Sequence, residues 1–92
     1  MKRVQWSSAA RRDIFRLYDF LRDVNPRAAA RIIQRLTEAT RNLTAFPEQG
    51  RPVDNYVSQD VRSLIVGDYE IRYEVEDHRI YIVRIWHGRE DR

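Results

Sequence analysis

The sequence predicts an α+β fold in the order strand, helix, helix, strand, strand, strand, with an antiparallel helical hairpin packed on an antiparallel sheet. Three observations predict it. Apolar residues recur at spacings of three and four between Ala10 and Leu43, which is the period of one buried helix face. A segment carrying two prolines and a glycine, Phe46 to Pro52, then ends the helical pattern. From Val61 onward, alternating and continuous apolar runs are separated by short turns, the signature of strands. The 92 residues are expected to form one domain over 1–92, and a chain of this size buries only about 60 to 65% of the surface its unfolded state exposes. A second domain or a deep catalytic cleft is not expected.

The elements follow in order. Arg3 to Trp6 reads as a short first strand. Ser7 or Ser8 then offers a hydroxyl to the unpaired N–H groups of a helix, whose apolar face is Ala10, Ile14, Leu17, Tyr18 and Leu21. Arg11, Arg12, Arg16, Asp19 and Arg22 fall mostly on the other side, and the helix ends near Val24. Asn25-Pro26 breaks and restarts the pattern, since Asn caps well and Pro suits the first helical position. Ala29, Ile32, Ile33, Leu36, Thr40 and Leu43 form the second apolar stripe. So short a link makes the two helices an antiparallel hairpin. Val61 to Val66 and Tyr69 to Val75 flank a Gly67-Asp68 turn, and Ile71 and Tyr73 alternate with Glu70, Arg72 and Glu74 to give one dry and one wet face. A turn at Glu76-Asp77-His78 leads into Arg79 to His87, so apolar that it reads as a central strand covered on both sides. The first strand is expected to add to the edge of this meander.

Composition narrows the chemistry. Cysteine is absent, which excludes disulfides, thiolate zinc sites and a Cys nucleophile and suits a reducing cytoplasm. No apolar run approaches the roughly 20 residues that span a bilayer, and Met1 to Trp6 carries no signal-peptide core. A cytoplasmic protein is expected. The formal charge is +3, with sixteen Arg against one Lys. A GC-rich codon bias explains that excess as well as selection for carboxylate or phosphate recognition does.

The motifs GxGxxG, GxxxxGK[ST], HExxH and GxSxG are all missing, so nucleotide, zinc-protease and serine-hydrolase chemistries lack their groups. No cofactor and no metal are expected, because two histidines are too few for a metal cluster. His78 reads as a solvated turn residue. His87 has two readings. Beside Arg84 and Arg89 it can shuttle a proton while the arginines hold phosphate, as metal-free RNA cleavage requires. Alternatively His87 caps the strand end by a hydrogen bond, while Arg84 and Arg89 pair with Glu90, Asp91 or the acids of Tyr69–Val75. Tyr18, Tyr69, Tyr73, Tyr81 and Trp86 lie on helix and strand stripes and read as core or sheet residues rather than base-stacking platforms.

The segment Ala45-Phe46-Pro47-Glu48-Gln49-Gly50-Arg51-Pro52-Val53, followed by Val61-Arg62-Ser63-Leu64-Ile65-Val66, Tyr69-Glu70-Ile71-Arg72-Tyr73-Glu74-Val75 and Ile82-Val83-Arg84-Ile85-Trp86-His87-Gly88-Arg89-Glu90, resembles the RelE/ParE toxin superfamily. Asp13-Ile14 and Asn25-Pro26-Arg27-Ala28-Ala29 fit it too. The resemblance implies a RelE/ParE-like fold and a toxin neutralised by a cognate antitoxin in a hetero-oligomer. It implies one of two targets, since RelE-like members cut mRNA in the ribosomal A site and ParE-like members poison DNA gyrase.

The residues favour the second. Arg62 and Arg89 match basic positions of the RelE-like set, but Leu64 stands where a lysine is expected and Glu70 where an arginine is expected. The chain stops at Arg92 before any C-terminal tyrosine. A carboxylate at a phosphate-holding position repels the phosphate. Of the YoeB-like histidine, glutamate and arginine, His87 matches the histidine alone, and ParE-like members share that ending. The expectation is a ParE-like gyrase inhibitor acting by protein binding, more a non-enzyme than an enzyme. Arg62, Arg84, His87 and Arg89 are its candidate target-binding residues. The alternative is a ribosome-dependent mRNA endoribonuclease using Arg62, His87 and Arg89. A nucleic-acid-binding module would need an arginine stripe on one face, whereas these arginines are spread over every element.

Overall fold

The computed structural model describes residues 2–90. Seven elements follow one another: β1 (Arg3–Trp6), α1 (Ser8–Val24), α2 (Pro26–Asn42), β2 (Arg51–Pro52), β3 (Asp60–Val66), β4 (Tyr69–Val75) and β5 (Arg79–His87). The five strands form one sheet in the order β1-β5-β4-β3-β2, with β1 parallel to β5 and the other pairs antiparallel. β5 is interior, as its composition predicts, and β1 lies at one edge. The two-residue β2, which sequence reading assigned to a turn, closes the other edge. It is too short to show a period, and Pro52 can serve only at an edge because it has no N–H to give a further strand.

The helix boundaries follow from the caps. Ser7 Oγ accepts the Ala10 N–H at 2.9 Å and Asn25 Oδ1 accepts the Ala28 N–H at 3.2 Å. The Asn25 N–H also closes α1 on the Leu21 carbonyl at 2.8 Å, so this single residue stops one helix and starts the next. The helices therefore run antiparallel and pack on one face of the sheet. Leu17, Leu36 and Leu43 meet Leu64, Ile71, Tyr73, Ile80, Ile82 and Ile85 in one core, each such side chain contributing about 1.5–3 kcal/mol. In the β3–β4 hairpin Gly67 takes φ +60°, a conformation that a Cβ would strain.

The register separates the two faces. Leu64, Ile71 and Ile85 lie opposite one another under the helices, whereas Ser63, Arg72 and Arg84 align on the other side. Between Arg72 and Tyr73 the pairing shifts so that Val83 has no partner on β4, a bulge in β5. Among the described residues no second layer of helices or strands covers the outer face. Trp86 is nonetheless 92% buried, with only 8% exposed, because the Arg72 and Arg84 guanidinium groups lie 4.8 and 5.2 Å from its ring centroid. Tyr81 is stacked in the same way by Arg79 at 4.2 Å. Arginine stems and their cation–π contacts thus replace the expected covering layer over β5.

Candidate functional site

β1 accompanies β5 only from Arg79 to Ile82, so beyond that point the edge of β5 needs other hydrogen-bond partners. The start of α1 supplies them. The Ser7 N–H donates to the Ile82 carbonyl at 2.9 Å, and the Ser7 hydroxyl donates to the Val83 carbonyl at 2.8 Å. Further along the helix, Asp13 Oδ2 accepts the Ile85 N–H at 2.8 Å and Arg16 Nη2 reaches the Ile85 carbonyl at 3.4 Å. Glu90 folds back to accept the His87 N–H at 3.0 Å. Two carboxylates therefore take the edge N–H groups that a neighbouring strand takes elsewhere.

Asp13 is the centre of this arrangement. It is 3% exposed and also accepts Arg84 Nε at 2.8 Å, Arg84 Nη2 at 3.0 Å and Arg16 Nη2 at 3.0 Å. Burial alone pushes its pKa up. The hydrogen bonds from Arg84, the Ile85 N–H and Arg16, with the Arg84 charge, outweigh burial and hold the carboxyl below its ordinary value. The same bond to Asp13 raises Arg84. Arg16 continues the network to Glu90.

His87 sits at the end of this chain. Its Nδ1 accepts the Arg89 N–H at 3.1 Å, and its ring meets Tyr69 edge-on with centroids 5.1 Å apart. Tyr69 is raised above the usual tyrosine value by burial, with the Asp68 and Glu90 charges adding to it. Arg16, Leu17, Phe20, His87, Arg89 and Glu90 line a shallow groove whose apolar wall includes Phe20, 69% exposed. The groove offers an aromatic and aliphatic surface rimmed by donors, the composition of a protein-contact surface.

Of the four residues expected at the site, two line this groove, His87 and Arg89; Arg84 lies on the outer face of the sheet and is linked to it only through Asp13 and Arg16. Arg62 does not line the groove. It pairs in register with the buried Tyr73, and its guanidinium is tied to Asp60 at 2.9 Å and to the carbonyls of Gly50 and Glu48 at 3.0 and 3.4 Å. It braces the loop before β2. The expected pairing of Arg84 with Glu90 or with an acid of β4 is also corrected. Arg84 holds Asp13, Glu90 holds Arg16, and the β4 acid Glu70 accepts from Arg72 and Ser63, each at 3.0 Å. Asp91 lies outside the described residues. The capping reading of His87 matches its geometry, and His78 is exposed.

Sequence reading missed Asp13 and Arg16. A signal existed: Asp13 falls three residues after Ala10 and four before Leu17, inside the apolar stripe. An acid in that place requires buried donors. Among the described residues no group of three or more acids and histidines is placed to hold a metal ion, and no helix is long and apolar enough to cross a membrane.

Two curated relatives, both from Caulobacter vibrioides, span nearly the same length. The toxin RelE2 is 36% identical over 89 residues, covering 96% of this chain and 97% of its own. The toxin RelE1 is 37% identical over 86 residues, covering 94% and 92%. Among solved structures, the toxin–antitoxin complex RelBE2 from Mycobacterium tuberculosis shares 25% identity at a TM-score of 0.66, covering 94% of this chain and 96% of that one. The chromosomal ParDE toxin–antitoxin system from P. aeruginosa superposes with a TM-score of 0.79 at 24% identity, covering 95% and 96%, a likeness of fold. The family described as the ParE toxin of the type II toxin–antitoxin system parDE matches from residue 4 to residue 92, and the chain, a type II toxin, belongs to that family.

Proposed function

We infer that this toxin inhibits DNA gyrase by protein–protein binding, as a ParE-like member, and is neutralised by a cognate antitoxin in a hetero-oligomer. The observation that carries the reading is the disposition of the basic residues. Arg62 is engaged away from the β5 terminus, Arg84 is neutralised by a buried carboxylate, and Glu70 occupies the outer face of β4. A metal-free ribonuclease must deprotonate a hydroxyl, hold a charged phosphate and protonate a leaving oxygen at one point. These residues are spread over two faces and oppose one another in charge. The groove beside His87 and Arg89, with its exposed Phe20, instead suits binding to a protein surface. An antitoxin partner is supported by the RelBE2 neighbour, a toxin–antitoxin complex.

The RelE names of the Caulobacter relatives favour a second reading, ribosome-dependent mRNA cleavage through Arg62, His87 and Arg89. Supercoiling of relaxed plasmid by purified gyrase separates the two. The gyrase reading expects lost supercoiling or trapped cleaved plasmid when the antitoxin-free toxin is added. Unimpaired gyrase in the presence of folded toxin overturns it and directs the assay to translating ribosomes. Arg84 is a poor probe of this surface because its replacement also uncovers Asp13; Arg89, exposed and beyond the strand, is the cleaner one.

A further inference from the structure

The turn that ends β5 is closed on itself. The Glu90 N–H donates to the His87 carbonyl at 3.0 Å, the Arg89 N–H to His87 Nδ1 at 3.1 Å, and the His87 N–H to Glu90 Oε2 at 3.0 Å. The Gly88 N–H adds a bond to the Asp68 carbonyl at 2.7 Å. The other Glu90 oxygen takes Arg16 on α1, and Arg16 is in turn held by Asp13. A backbone N–H can only donate, so Nδ1 of His87 is the acceptor and the neutral ring carries its proton on Nε2.

We propose that Glu90 and Arg16 form a clasp that positions His87 and Arg89 for contact with the target, a role that rests on the gyrase-binding reading above. Glu90 is a positioning residue here. One of its oxygens fixes the backbone of His87 and the other fixes α1, and Arg89 lies between the two residues so joined. The ring of His87 is then turned by the Arg89 N–H and braced by Tyr69. The clasp fixes the groove in advance of binding: Arg16, His87, Arg89 and Glu90 all line it. A turn without the clasp must be ordered during association, and that ordering weakens the complex.

The test uses the full chain, freed of antitoxin, as wild type, E90A, E90Q, R16A and R89A. Nitrogen NMR reads the tautomer of the His87 ring, hydrogen exchange reads the His87 and Arg89 amides, and gyrase supercoiling reads function. E90A is expected to speed exchange of the His87 amide about tenfold, equivalent to ~1.4 kcal/mol, and to give a mixed ring tautomer. It should require about tenfold more protein for half-inhibition, and R16A should raise that requirement too. E90Q keeps an amide oxygen for the His87 N–H and should restore most of the ring signature. Unchanged exchange and tautomer in E90A overturn the clasp. So does a loosened turn with full inhibition when R89A abolishes inhibition. A wild-type protein that leaves gyrase untouched, or an R89A protein as potent as wild type, fails the functional reading instead; the exchange and tautomer readouts then decide the clasp on their own.

Discussion

Replacing Asp13 by alanine removes the acceptor of four donated bonds: two from Arg84, one from Arg16 and one from the Ile85 N–H. The three donors do not suffer equally. The Ile85 N–H is buried at a strand edge and donates to Asp13, and a buried donor left unpaired costs about 1–3 kcal/mol. The arginine side chains are 40% and 43% exposed, so water takes over much of their solvation and each pair is worth only ~0.2–1 kcal/mol. The sum is about 3 kcal/mol, and at roughly 4–8 °C per kcal/mol for a domain of this size the melting temperature falls by roughly 12–24 °C. Asp13→Asn retains an amide oxygen for one donor and should lose about half as much.

Acid titration sharpens the same experiment. The native Asp13 pKa lies below its unfolded value, so its stabilisation is complete above the unfolded pKa of about 3.9 and is lost as the pH falls through the lower native one. The stability gap between wild type and Asp13→Asn should be constant from neutral pH down to that point and then close. Thermal melts followed by far-ultraviolet circular dichroism across this range measure it. A melting temperature within about 3 °C of wild type for Asp13→Ala, well under the shift of one kcal/mol, or a gap that survives strong acid, refutes the reasoning.

Other variants probe separate contacts. Tyr73 is fully buried, and its hydroxyl donates to the Pro47 carbonyl at 2.7 Å and accepts the Gly50 N–H at 2.8 Å. Tyr73→Phe should cost about 1–2 kcal/mol and accelerate exchange of the Gly50 amide; a protected Gly50 amide in the variant contradicts this. Gly50→Ala would place a Cβ 2.8 Å from both the Ser63 carbonyl oxygen and the Tyr73 hydroxyl, so a loss of about 1–3 kcal/mol from overpacking is expected in urea unfolding. Removing the guanidinium groups over Trp86 with Arg72→Ala and Arg84→Ala should shift tryptophan emission to the red, because water replaces them. Emission identical to wild type means that something else shields the indole.

Most of the fold was legible because periodicity and punctuation agreed. Asn25-Pro26 both caps and restarts, and the runs at 69–75 and 79–87 coincide with β4 and β5. The parts that were not legible depend on tertiary contacts. The two residues of β2 are too few to carry a pattern, and the bulge at Val83 arises from pairing rather than composition. At the site, Arg84, His87 and Arg89 were readable as neighbours on one strand end. Arg62 was not separable from them, since the face it occupies depends on the register of β3 against Tyr73. Asp13 was visible only as an acid out of place on α1, and apart from Arg16 its donors, Arg84 and the Ile85 N–H, lie 71 and 72 residues away.

That separation also sets the order of events during synthesis. β1 has β5 as its strand partner in the sheet, and α1 completes its bonds through Ile82, Val83, Ile85 and Glu90. β1 and α1 leave the ribosome well before β5 and must therefore wait for it. Until residues 79–90 emerge, Asp13 has no Arg84 and Ile85 to receive, and the apolar stripe of α1 lacks the strand it packs against. Contacts of such long range slow folding. The groove beside His87 comes into being only when the turn after β5 closes on α1, made some seventy residues earlier.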